Sequence, residues 1–171
     1  MTENTWSLAS LIERGGIHYN VPGLNPKELL AGAVDLLPSV PSLDPRELYR
    51  EILEREALMS TGVGRGIALP HPRNPMLDSG AACGGAAKGG DPFVAIIFPV
   101  QPLDWNTQDG SKVHTVFLLV SSSAKQHLNT LSKINFLCQQ EKFYSLIKAR
   151  SSQEEIIAAI REAENSWAET S

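Results

Sequence analysis

Cysteine is scarce in this chain of 171 residues: Cys83 and Cys138 are the whole complement. They form no C-x-x-C pair, so neither a disulfide framework nor a thiolate metal site is indicated. Basic runs are missing as well, and a formal net charge of −4 argues against nucleic acid as a main partner. No stretch approaches the roughly eighteen or more apolar residues of a membrane span, and Met1-Thr2-Glu3-Asn4 does not open a signal peptide. The default expectations are a cytoplasmic location and no membrane-spanning segment. Signatures of common hydrolases are also absent, with no G-x-S-x-G elbow and no paired-carboxylate pattern. Four histidines are present, but no H-E-x-x-H spacing joins them, and neither a metal nor an organic cofactor is expected.

What is there is an ordinary globular composition, 42% apolar and 20% charged, at a length that suits one domain with a full core. Neither a repeat nor a linker divides residues 1–171. Ile17–Val21 alternates as a short strand. Asn25-Pro26-Lys27-Glu28 then offers a cap and a helix-starting proline for a helix through Leu29, Leu30, Ala33 and Leu37, stopped by Pro38. Asp44-Pro45-Arg46-Glu47 repeats the signal for a helix with Leu48, Ile52 and Leu53 on one face. Residues 74–92 are small and turn-rich and read as an exposed loop containing Cys83. Phe93–Phe98 is apolar on both faces, as a central strand is. Asp109-Gly110 predicts a hairpin between Leu103–Trp105 and the long strand Val113–Val120. Ser121-Ser122-Ser123 opens a helix carrying Leu128, Leu131, Ile134 and Cys138 at helical spacing. A short helix follows over Phe143–Ala149, and Ser152-Gln153-Glu154-Glu155 starts the last one, with Ile156, Ile157 and Ile160 turned inward. Strands and helices in this order predict a single α/β domain, a mixed sheet flanked by helices.

The densest chemical signal runs from Arg55 to His71. A cation stands near the end of a helix, Thr61-Gly62-Val63-Gly64-Arg65-Gly66 follows as a glycine-rich turn, and the run closes on His71 between Pro70 and Pro72. Ile67 occupies the third glycine position of G-x-G-x-x-G, so a dinucleotide loop fails; a turn needing positive φ is the simpler reading. The flanking prolines restrict the backbone under His71 and present its ring. A neutral imidazole can attack phosphorus, and Arg55 is the candidate to hold the phosphoryl oxygens. His127 falls in the first turn of the helix after the long strand, at the sheet edge where sites collect, and is the candidate second contact to a phosphoryl oxygen. His18 and His114 read as structural or surface residues in strands.

Arg55-Glu56, Ser60-Thr61-Gly62-Val63-Gly64, Gly66-Ile67-Ala68 and Pro70-His71 together resemble the active-site signature of EIIA domains of the bacterial phosphotransferase system, mannitol/fructose type, which includes the nitrogen-regulatory EIIA proteins. The likeness continues through Trp105, Asp109-Gly110, Val113 and Phe117–Leu119 to His127-Leu128 and Leu131, covering about residues 17–160. It implies that His71 accepts a phosphoryl group on Nε2 from the phosphocarrier HPr or its nitrogen-branch counterpart. Arg55 then contacts the phosphoryl oxygens, His127 stabilises the phosphohistidine, and Thr61, Gly62, Gly64, Gly66, Pro70 and Arg73 support the site. The recipient is an EIIB domain or a regulatory target protein. With no EIIB or membrane domain in the sequence, the reading leans to the stand-alone regulatory type. Two features depart from the family pattern: Pro72 stands where glycine is common, removing an N–H that Arg73 is placed to replace, and the 74–92 loop is longer than usual. These departures motivate the alternative, a binding or regulatory module that no longer carries phosphate.

Overall fold

A computed structural model of the protein describes residues 6–77 and 90–170. Its elements in chain order are α1 (Leu8–Gly15), β1 (Ile17–Val21), α2 (Pro26–Val34), α3 (Pro45–Leu58), β2 (Gly62–Gly64), β3 (Ile67–Ala68), β4 (Phe93–Pro99), β5 (Thr115–Val120), α4 (Ala124–Gln139), α5 (Glu141–Lys148) and α6 (Gln153–Thr170). The strands form one five-stranded mixed sheet in the order β1-β4-β5-β3-β2. β1 runs parallel to β4 and β3 parallel to β5, whereas β4–β5 and β2–β3 are antiparallel.

Every residue of β4 and β5 is buried, as a two-sided apolar strand requires. Their side chains alternate between two cores. Val94, Ile96, Phe98, Phe117 and Leu119 pack with α1 and with Ile134, Leu137, Phe143, Ile147, Ile156 and Ile160 of the last three helices. Phe93, Ala95, Ile97, Val116, Leu118 and Val120 pack with Leu29, Leu30, Leu48 and Ile52 of α2 and α3. Helices thus cover both faces of the sheet.

Several expectations need correction. The first helix was not predicted: Ser7 caps it through Ser10 N–H, and the Glu164 carboxylate accepts from Leu8 and Ala9 N–H at 2.8 and 2.9 Å. Gly15 lets α1 settle against β4, since a Cβ there would run into the Val94 carbonyl. The helix expected to reach Leu37 ends at Val34, where Leu36 N–H bonds Ala33 O at 2.9 Å and tightens the last turn. Leu128, near the start of α4, is 64% exposed, although Ile134 and Cys138 on the same stripe are buried. Val113 pairs with Leu103 in a single bridge, and His114 lies just outside β5 rather than in a strand. Within the expected exposed loop 74–92, Asn74 and Pro75 are exposed, but Leu77 is fully buried and its N–H reaches Ser121 O at 3.4 Å. The middle of that segment, with Cys83, lies outside the described residues.

Candidate phosphoryl-transfer site

The topology brings the two candidate histidines together. β3 and β5 are parallel neighbours, so both release the chain at the same sheet edge. From β3 the chain passes through Leu69 and Pro70, whose carbonyl accepts from Leu119 N–H at 3.0 Å, and arrives at His71. From β5 it passes through Ser121 to Ser123, which caps α4 through Gln126 N–H and sets His127 in the first turn. The His71 and His127 rings lie with centroids 4.5 Å apart, tilted by 53°. They line one cleft of about 320 Å³ with Pro72, Arg73, Asn74, Leu119, Ser121 and Leu128. A cleft beyond the carboxyl ends of strands is where α/β sheets tend to hold ligands.

The protonation pattern of His71 follows from one bond. Its Nδ1 sits 2.8 Å from Leu69 O. A carbonyl can only accept, so Nδ1 carries the proton and Nε2 keeps its lone pair. Burial holds the His71 pKa below the ordinary histidine value; the Leu69 hydrogen bond opposes this, Arg55 adds to it and Glu56 opposes it. His127 is pushed down to about 4, first by burial, then by His71 and Arg55. Both imidazoles are therefore neutral at pH 7. Ser121 Oγ lies 3.1 Å from His127 Nδ1.

Arg55 is half-buried at the end of α3, and one of its guanidinium nitrogens, Nη1, donates to Met59 O at 2.9 Å. Its charge is felt at both imidazoles. The neighbouring Glu56 ties this helix end down. Its carboxylate accepts from Thr61 N–H at 3.2 Å, from the Thr61 hydroxyl, and from Trp105 Nε1 at 3.1 Å. Sequence alone assigns no role to Glu56 or Trp105 and does not pair Ser121 with His127. A glutamate next to the arginine was the available signal for the first; nothing local pointed to the second.

The glycine run makes the β2–β3 hairpin. Gly64, Arg65 and Gly66 have φ of 94°, 55° and 80°, and a Cβ on Gly66 would run into the His114 imidazole. Thr61 is buried and Pro70 is held by β5, whereas Arg73 is exposed on the cleft wall. His18 bonds Gly15 O at 3.0 Å, and His114 bonds Thr115 Oγ1 at 2.7 Å, so both serve the scaffold. Among the described residues no group of three or more His, Cys, Asp or Glu could hold a metal ion.

The family described as phosphoenolpyruvate-dependent sugar phosphotransferase system, EIIA 2, matches residues 10–163. The chain belongs to this family. As an EIIA type 2 domain it is 29% identical to a nitrogen regulatory protein of Escherichia coli K12 over 168 residues, 96% of each chain. It is 27% identical over 158 residues to the fructose-specific EIIABC component of Bacillus subtilis, matching 91% of this chain but only 23% of that longer protein. The structure of nitrogen regulatory protein IIA-Ntr from Neisseria meningitidis superimposes with a TM-score of 0.73 at 27% identity, covering 89% of this EIIA domain and 97% of the other chain.

Proposed function

We propose that the protein is a phosphocarrier that takes a phosphoryl group onto His71 Nε2 and passes it on or uses it as a signal. The observation that carries this reading is the Leu69 carbonyl on His71 Nδ1, which leaves Nε2 as an unprotonated nucleophile in the cleft. The Nε2 lone pair attacks phosphorus, a new N–P bond forms, and the donor's bond to phosphorus breaks with its electron pair staying on the donor. The proton stays on Nδ1 throughout, donated to Leu69 O. Imidazolium character develops on His71 as the bond forms, and the carbonyl dipole stabilises it.

Arg55 supplies permanent positive charge for the phosphoryl oxygens, and its planar fork suits them. His127 supplies a neutral hydrogen-bond donor from the facing wall. Pro72 offers no N–H to the group, and Arg73 on the same wall is the compensating cation. In-line positioning and charge stabilisation are most of what phosphoryl transfer asks of a protein.

The donor is a phosphocarrier of the HPr type, and the recipient an EIIB domain or a regulated protein. The regulatory branch is the one supported by relatives named nitrogen regulatory protein that match over nearly their whole length. Under this reading the protein works in the cytoplasm; among the described residues no helix is long and apolar enough to cross a membrane. Phosphotransfer from phosphoenolpyruvate through enzyme I and either sugar-branch or nitrogen-branch HPr tests it, with the faster donor naming the branch. Failure with both donors returns the chain to a non-carrying binding module.

A further inference from the structure

Resting on the carrier reading, we propose that Ser121 is a positioning residue: its hydroxyl donates to His127 Nδ1 and holds the His127 proton on Nε2, the tautomer opposite to that of His71. Ser121 leaves the end of β5 and is only 4% exposed. Its hydroxyl lies 3.1 Å from His127 Nδ1, and that nitrogen is its hydrogen-bond partner among the described residues. Two arrangements fit the distance. If Nδ1–H donated to Oγ, the hydroxyl proton would be buried with no acceptor among the described residues. If the hydroxyl donates to the Nδ1 lone pair, both groups are satisfied, so the second arrangement is favoured.

The serine is not needed to start the helix. Ser123 caps α4 through Gln126 N–H, and the Ser122 N–H is taken by Gln126 Oε1 at 3.2 Å. Ser121 is pinned instead by its own backbone, whose carbonyl accepts from Leu77 N–H at 3.4 Å. A fixed hydroxyl on a fixed backbone can set the state of the ring beside it.

The consequence is a matched pair. His71 carries its proton on Nδ1 because Leu69 O requires it, so its Nε2 offers a lone pair. His127 carries its proton on Nε2 because Ser121 fills its Nδ1, so it offers an N–H. With ring centroids 4.5 Å apart, one imidazole is the nucleophile and the other a donor to the oxygens of the group it receives. With the proton on Nδ1, His127 would aim a lone pair at an anionic phosphoryl group and repel it.

Long-range proton–nitrogen NMR on histidine-labelled protein reads the tautomers directly in the unphosphorylated chain, with His127→Gln assigning the signal. The native protein is expected to show His127 protonated on Nε2, and Ser121→Ala a mixture of tautomers. Loss of one such hydrogen bond is expected to speed hydrolysis of the phosphohistidine about 3- to 10-fold, while uptake on His71 still reaches completion. Ser121→Thr, which keeps a hydroxyl, is expected to retain the native tautomer. A native His127 protonated on Nδ1 overturns the proposal. So does Ser121→Ala with an unchanged tautomer, or with an unchanged hydrolysis rate. If the native chain takes up no phosphoryl group, the carrier reading falls by itself, and the tautomer spectra still judge the role of Ser121.

Discussion

The imidazole of His127 faces that of His71 across 4.5 Å between ring centroids, and the two arrive there from different parallel strands. Replacing His127 with alanine removes a donor from one wall of the cleft without touching the nucleophile. Phosphoryl uptake on His71 is expected to persist at a reduced rate. The phosphorylated variant should hydrolyse roughly tenfold faster than native, the scale of one hydrogen bond to a charged group. Following intact mass with time after removing the donor measures this.

Arg55 lies too far along α3 to matter to the core, yet its charge acts on both histidines. Arg55→Ala should slow phosphoryl uptake about 100-fold, as loss of a charge-stabilising group does. Arg55→Lys should recover only part of that, because an ammonium cannot grip two oxygens in one plane. Stability should change by less than about 1 kcal/mol, since the visible loss is one bond to Met59 O. Quench-flow transfer kinetics beside urea unfolding separate the two effects.

The lowered pKa values carry a pH signature. Because burial holds His71 below the ordinary histidine value, uptake should be flat between pH 7 and 8 and decline only below the ordinary value near 6.5. In the same acid range the unfolded chain binds protons that the folded chain refuses. Stability from these sites is thus fully present above about pH 6.5, and it is lost as pH falls toward the folded-state value of about 4 for His127. Urea midpoints at pH 7, 5.5 and 4.5 should show that decline, and His127→Gln should flatten part of it.

Glu56 is a structural tie beside the site. Glu56→Ala strands the Thr61 and Trp105 donors and should cost about 2–3 kcal/mol. Glu56→Gln keeps one acceptor and should cost less. Urea unfolding measures both.

The central strands, the two proline-started helices and His71 were legible because each rests on local chemistry: unbroken apolar runs, Asn-Pro and Asp-Pro caps, and a Pro-His-Pro segment; His127 rested on its place after the long strand and on the family resemblance. Helix α1 was legible in principle, with Ser7 before Leu8, Leu11 and Ile12 and a Gly15-Gly16 stop, but its eight residues are short and half its cap is Glu164 from the far end of the chain. Leu128 is exposed on the wall of the histidine cleft, a placement that periodicity does not encode. Ser121 on His127 depends on the angle between β5 and α4, so a serine run that looked like a helix start concealed it. The glycines of 62–66 shape the β2–β3 hairpin, with Gly66 set closely against His114.

The most direct test of the carrier account is phosphotransfer from phosphoenolpyruvate through enzyme I and HPr, with intact mass read for the native chain and for His71→Ala. The account predicts an acid-labile gain of one phosphoryl group on the native protein and none on the variant. A native chain that gains nothing from either donor branch, or a variant that gains as much as the native chain, would contradict it.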